Sequence, residues 1–251
     1  MTTFSHVLRY VVATLLLLLL WELGAFFLGE MILPQPISAV VSFGKSLVSA
    51  DFLHHAGASA LRLSEAILLA ILTGFPLGLL LGHSKKADWL GAPLVFITLP
   101  LPKIVLLPVF FTLFGLGDLS RVLLIALATG FQILVVVRES ALALDPAYEL
   151  AMRSMGATRW ERLRHVWLPA AMPALFTGLK AASGTAMAVL FLAESFATEA
   201  GLGWLIMDAW GMGDVEGMFV GILGISVLGL LLYALIGIAE RLCCAWQHPS
   251  N

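Results

Sequence analysis

Residues 138–173, RESALALDPAYELAMRSMGATRWERLRHVWLPAAMP, hold five of the chain's 14 basic residues: Arg138, Arg153, Arg159, Arg162 and Arg164. Long apolar segments flank the stretch on both sides. Within it, Asp145 can cap free amides and Pro146 suits the first position of a helix. That helix runs to Met155 and meets Gly156, which can adopt the left-handed turn that ends helices. Thr158 and Glu161 then fit a capping box, which starts a second helix at Arg159. Pro169 and Pro173 are expected to stop it near Val166 or Trp167 and to begin the next long helix.

The reading is two short helices joined at a glycine elbow. Helices of this length are unstable alone in water and need a surface to pack on. The first presents Ala147, Leu150, Ala151 and Met155, a small apolar face suited to a pocket in another protein. The second sets Arg159, Arg162 and His165 apart from Trp160, Leu163 and Trp167, as at a lipid headgroup boundary. From these residues alone, partner contact and simple interfacial anchoring stand as equal alternatives.

Outward from this island the chain is made for lipid. Of 251 residues, 60% are hydrophobic and 12% charged, and mean hydropathy is +0.99. Soluble domains are far more charged. Net charge is −2, so nothing pulls the chain as a whole toward nucleic acid. Six apolar stretches are long enough to span, at about 8–28, 61–82, 89–114, 119–138, 174–196 and 215–239. The first is too long for the core of a signal peptide and lacks a nearby cleavage pattern, so it reads as a retained helix. Pro93, Pro100, Pro102 and Pro108 make the third kinked or broken. The fold class is therefore all-α integral membrane, one domain over 1–251 with the charged loop at 139–172.

Orientation follows from lysine and arginine in short loops. With the N-terminus in the cytoplasm, that side holds Arg9, Lys85, Lys86, the five island arginines and Arg241. Lys45, Arg121 and Arg62 fall on or near the outer side. Both termini and the island are then cytoplasmic. Gly74, Gly78 and Gly82, and again Gly213, Gly217 and Gly221, form small-residue stripes. They allow close helix packing inside the bundle or, for one of them, across a dimer seam.

Chemical motifs are few. The chain carries no GxxxxGK[ST] phosphate loop, zinc-type spacing or nucleophile elbow, so enzymatic activity is not expected. Cys243 and Cys244 read as filler at a membrane border, and His54-His55 as a solvated pair in an outer loop rather than a metal site. Lys103 and Glu194 are different, because each lies in an apolar stretch where a lone charge costs at least about 2.5–3.5 kcal/mol. They either pair with each other or serve a translocation pathway, with Lys103 holding a small anion, Glu194 tuning its charge and Gln132 adding a hydrogen bond.

The island resembles the EAA loop of inner-membrane permease subunits of binding-protein-dependent ABC importers, the MetI-like type I fold. That pattern is Glu-Ala-Ala, three residues, Gly, nine residues, Ile or Val, one residue, Leu-Pro. Here Gly156 is followed by nine residues and then Val166, Trp167, Leu168 and Pro169. Leu150, Ala151 and Met152 stand at the Glu-Ala-Ala positions, with Glu149 one place early. Leu99-Pro-Leu-Pro-Lys103, Leu107-Pro108, Phe114-Gly-Leu-Gly117, Gly178-Leu-Lys180, Glu194 and Gly201-Leu-Gly203 resemble the nitrate/sulfonate/taurine branch.

The resemblance implies six transmembrane helices with both termini cytoplasmic, in a bacterial inner membrane. It implies a homodimer or pseudodimer that couples to separate ATPase subunits and receives a small solute from a periplasmic or lipid-anchored binding protein. An anion such as nitrate, a sulfonate or taurine is the expected solute. ATP and magnesium would be bound by the partner ATPase, with no cofactor in this chain. Coupling would fall to Glu149, Leu150, Ala151, Arg153, Gly156, Ala157, Val166, Leu168 and Pro169. The competing class is a stand-alone secondary carrier, which usually buries several ionisable groups near the midplane and often shows two related halves. Acidic residues and Trp204 and Trp210 in 197–216 offer either a docking surface for the binding protein or a plain membrane-facing loop.

Overall fold

The computed structural model describes residues 3–247, and every element found among them is helical. Helix α1 (Thr3–Leu28) is peripheral, with Leu15, Leu16, Leu17, Leu19 and Leu20 all exposed. It is fastened near its end, where Trp21 donates to the Pro34 carbonyl at 2.9 Å and stacks on Phe219. A short helix α2 (Pro36–Ser46) begins on a proline and lies against the last helix, to which the Ser42 hydroxyl and the Glu216 carboxylate bind it. The sequence reading did not contain this element.

Three long helices make the centre. They are α3 (Ala50–His83), α6 (Asp118–Leu142) and α9 (Leu168–Glu194). Their shared core holds Ala66, Ala70, Leu124, Ile125, Ile133, Val137, Ala186 and Leu190, none more than barely exposed. The α3 glycine stripe is the contact with α6. A Cβ on Gly74 would lie 2.3 Å from the Gly130 carbonyl oxygen, and one on Gly82 would lie 2.3 Å from the Ala141 Cβ. The stripe is thus consumed inside the bundle, where close backbone approach replaces the missing hydrophobic drive. The second set is not a stripe at all. Gly213 ends helix α10 (Leu202–Met212) at φ +74°, and Gly221 of α11 (Val215–Cys243) packs on Ile206. Gly221 is thus also taken up inside the bundle, whereas Gly213 stays exposed.

Between α3 and α6 the chain forms one sharply bent helix pair. Helix α4 (Lys85–Thr98) stops at Leu99-Pro-Leu-Pro102, a single 3₁₀ turn follows at Lys103–Leu106, and α5 (Leu107–Phe114) departs at 89°. The prolines remove backbone donors and so end the hydrogen-bond ladder there. By length and composition, five helices of the described residues can cross a membrane, or six with the bent pair counted as one.

Two expectations for local structure need correction. Pro169 does not stop a helix. The turn Arg159–Arg162 (α8) continues through a π-helical stretch, Leu163–Trp167, straight into α9, giving a continuous run Arg159–Glu194. Widening the turn absorbs the residue whose ring clashes with the ordinary α ladder and whose nitrogen cannot donate to it. Segment 197–216 is likewise more than a loop, since α10 buries Leu202, Gly203, Ile206 and Ala209 against the bundle.

Candidate functional site

The charged loop is built by its caps. The Asp145 carboxylate accepts from the Ala147 amide at 2.8 Å, and Pro146 opens helix α7 (Pro146–Ser154). At the other end the Ala157 amide donates to the Met152 carbonyl and the Gly156 amide to Arg153, each at 3.0 Å. With Gly156 at φ +78°, this is a Schellman ending. A Cβ on Gly156 would meet nothing, so glycine is needed there for its backbone conformation alone. Both halves of the Thr158–Glu161 capping box are present.

Helix α7 buries none of its residues. Ala147, Leu150, Ala151 and Met155 are all exposed, Leu150 at 67% and Met155 at 74%. Glu149 points the other way. Its carboxylate sits 2.6 Å from Arg153 on its own helix and 2.6 Å from Arg162, which is only 8% exposed. Glu149 is therefore a strut between α7 and the start of the α9 run, not a neighbour of Leu150 on the outer face. Arg162 correspondingly leaves the solvated face assigned to it with Arg159 and His165. Leu168 packs on the core, and Val166 and Pro169 are half-buried beside it. The expected coupling residues thus divide into an exposed face (Leu150, Ala151), a hinge (Gly156, Ala157) and an anchored base (Val166, Leu168, Pro169), braced by Glu149 and Arg153.

Deeper in the bundle, Lys103 and Gln132 share a cleft of about 350 Å³ with Thr185 and a wall of apolar side chains. The Lys103 ammonium donates to the carbonyls of Thr98 at 2.6 Å and Leu99 at 3.1 Å. The Thr98 carbonyl lacks its usual helical donor because residue 102 is proline, and a cation suits this negative helix end. The same ammonium lies 4.1 Å from the centre of the Phe131 ring. No carboxylate of the described residues pairs with it. Gln132 donates to Thr185 at 2.8 Å, tying α6 to α9 on the opposite side of the cleft.

Glu194 does not join them. It is wholly buried at the end of α9, and the expected pairing with Lys103 is not formed. Arg62 approaches it at 2.7 Å, the Ser59 hydroxyl at 2.7 Å and the Gly203 amide at 3.0 Å. Arg62 continues to Asp118 at 2.8 Å and to the Ala200 carbonyl at 2.7 Å. Arg121 reaches the Ala193 carbonyl at 3.1 Å and Phe196 at 3.1 Å, and also holds Ala197 and Leu116. These interactions satisfy the loose carbonyls at the end of α9 with a charge of the favourable sign. Arg62 and Arg121, which the sequence sets on or near the outer side, are 4% and 2% exposed. Their signal was position just inside an apolar run, where a charge demands a partner. His54-His55 needs a similar correction, because His55 is buried, stacks on Trp204 at 4.9 Å and accepts from the Gly201 amide. Among the described residues no cluster of metal-type ligands occurs.

A bent helix pair, a largely apolar cleft holding Lys103 and Gln132, and one ordered charged loop suit a multi-pass membrane permease. Residues 74–242 match the model of the binding-protein-dependent transport system inner membrane component, and the chain belongs to that family. It is 32% identical over 248 residues to the riboflavin transport system permease protein RibX of Chloroflexus aurantiacus, covering 94% of this chain and 89% of that one. Identity to the taurine transport system permease protein TauC of Escherichia coli is 28% over 203 residues, covering 81% of this chain and 74% of that one. A solved structure of the MetNI methionine ABC transporter, inward facing, aligns with a TM-score of 0.64 at 20% identity over 76% of this chain and 95% of that one. The fold is that of the type I ABC importer permeases, and the chain is an importer permease from a family of transport components rather than of catalysts.

Proposed function

We propose that this permease carries a small anion, of the sulfonate, nitrate or taurine kind, through the cleft at Lys103. It would do so as half of a dimer driven by separate ATPase subunits. The observation that carries the substrate class is the Lys103 ammonium. It is the one lysine or arginine lining that cleft, and its ligands are neutral carbonyls and a ring face. A cation held this way has charge left for an incoming anion. Gln132 and Thr185 face the same space and supply neutral hydrogen-bonding groups. Glu194, sealed into its knot with Arg62, holds the α9–α10 turn and has no part in the pathway.

Coupling is assigned to α7. Its exposed Leu150 and Ala151 face docks in a groove of the ATPase by shape, with leucine where the Glu-Ala-Ala pattern has its glutamate. Glu149, Arg153 and Arg162 transmit the helix's movement to the base of α9, so that nucleotide-driven closure biases which side the lumen opens to. The loop and both termini face the cytoplasm of a bacterial cell, and a periplasmic or lipid-anchored binding protein delivers solute to the other side.

The test is uptake by the complete transporter in proteoliposomes with its ATPase and binding protein. Lys103→Ala is expected to cut anion uptake about tenfold or more, with assembly unchanged. Uptake at the wild-type rate contradicts the reading.

A further inference from the structure

A second cleft, about 810 Å³, lies beneath the charged loop, between the end of α3 and the start of the α9 run. Five cations line it: Lys85, Lys86, Arg153, Arg159 and Arg162. The one carboxylate among them, Glu149, is already divided between Arg153 and Arg162. Lys85, Lys86 and Arg159 make no ion pair or hydrogen bond to the described residues. The charge excess also reaches the buried wall. Arg162, more than nine-tenths buried, leaves its Nε without a partner, and Trp167 leaves its Nε1 so. Both residues line this cleft, as does His83, which stacks on Trp167 at 4.2 Å and has its Nε2 unpaired. Buried donors are normally satisfied. These nitrogens are sealed behind the lining, and the three free cations, Lys85, Lys86 and Arg159, border a space suited to oxygen acceptors.

The rest of the lining is apolar and directional. Phe75, Pro76, Leu79 and Leu80 run from His83 back along α3, about 12 Å at the helical rise, toward the middle of a span-length helix. A free phosphate would make no use of that wall, whereas acyl chains attached to a phosphate would lie along it. We propose that this cleft binds the phosphate headgroup of an acidic phospholipid, which bridges α3 and α4 to the charged loop. Lys85, Lys86 and Arg159 donate to the phosphate oxygens and neutralise its charge.

The full-length chain in nanodiscs of equal phosphatidylglycerol and phosphatidylcholine tests this, with retained lipid read by native mass spectrometry. The wild type is expected to retain phosphatidylglycerol in about tenfold excess. The exposed-residue variant K85Q/K86Q/R159Q should lose that preference, while R9Q/K45Q/R241Q, with the same charge change elsewhere, keeps it. The double variant K85Q/K86Q should weaken retention if the triple variant fails to fold. Equal retention of the two lipids, loss in both triple variants, or wild-type retention by the cleft variant overturns the proposal. So does protection by millimolar inorganic phosphate in phosphatidylcholine discs that equals protection by phosphatidylglycerol, which would assign the site to the free ion. The assay contains no ATPase, so a negative result leaves the coupling role of α7 standing.

Discussion

Two charges that look alike in the sequence behave oppositely in the structure. Lys103 keeps its charge uncompensated beside a cleft, while Glu194 is bound by Arg62, Ser59 and Gly203 in a place with no solvent contact. Removing one partner of a buried pair costs up to about 3–5 kcal/mol, and here Arg62 would keep only Asp118 and the Ala200 carbonyl. Glu194→Leu is therefore expected to lower thermal stability by that order in detergent, measured as the unfolding midpoint. Lys103→Ala should leave the midpoint within a degree or two and act on uptake instead. A Glu194 variant of normal stability, or an unstable Lys103 variant, would exchange the two roles. The reason the sequence hides this difference is separation. Arg62 and Glu194 lie 132 residues apart, and no local pattern records that α3 and α9 bring them together.

Elements were legible where their signals are local. Asp145-Pro146, Gly156 and the Thr158–Glu161 box define the loop's helices in the sequence and again in the structure, because a cap needs only its neighbours within four residues. The Leu99–Pro102 break was readable for the same reason. Pro169 was not, since a helix facing a proline can either stop or widen, and tertiary packing of Leu168 decides between them. Helices α2 and α10 escaped notice because they are short and take their stability from α11 and the bundle rather than from their own pattern. Two predictions belong at this scale. Gly156→Val forces a β-branched residue to φ +78°, and should fray the end of α7 and weaken ATPase attachment without unfolding the spans. Loss of the attached ATPase in pull-downs, with an unchanged helical signal, is the expected pattern. Gly74→Leu drives a side chain into the Gly130 carbonyl and should cost about 1–3 kcal/mol or more, seen as poor membrane yield and a lowered midpoint.

At the scale of the molecule, the chain is a bundle with two ends of different character. One end is locked by the Arg62–Glu194–Asp118 knot and the Arg121 clasp. The other carries an exposed apolar helix braced by Glu149 on a cationic cleft. A rigid far end and a presented near end suit an element that receives force from a partner and passes it into α9. Family membership says which kind of partner to look for. The central claim is that α7 is the surface that partner grips. Cysteine crosslinking tests it most directly, with Cys243 and Cys244 first changed to serine and Ala151→Cys then introduced in the assembled transporter. A short bifunctional reagent is predicted to join residue 151 to the ATPase subunit, with a yield that changes when nucleotide is added. Labelling of that cysteine from the outer face of intact cells, with no crosslink to the ATPase, would contradict the account.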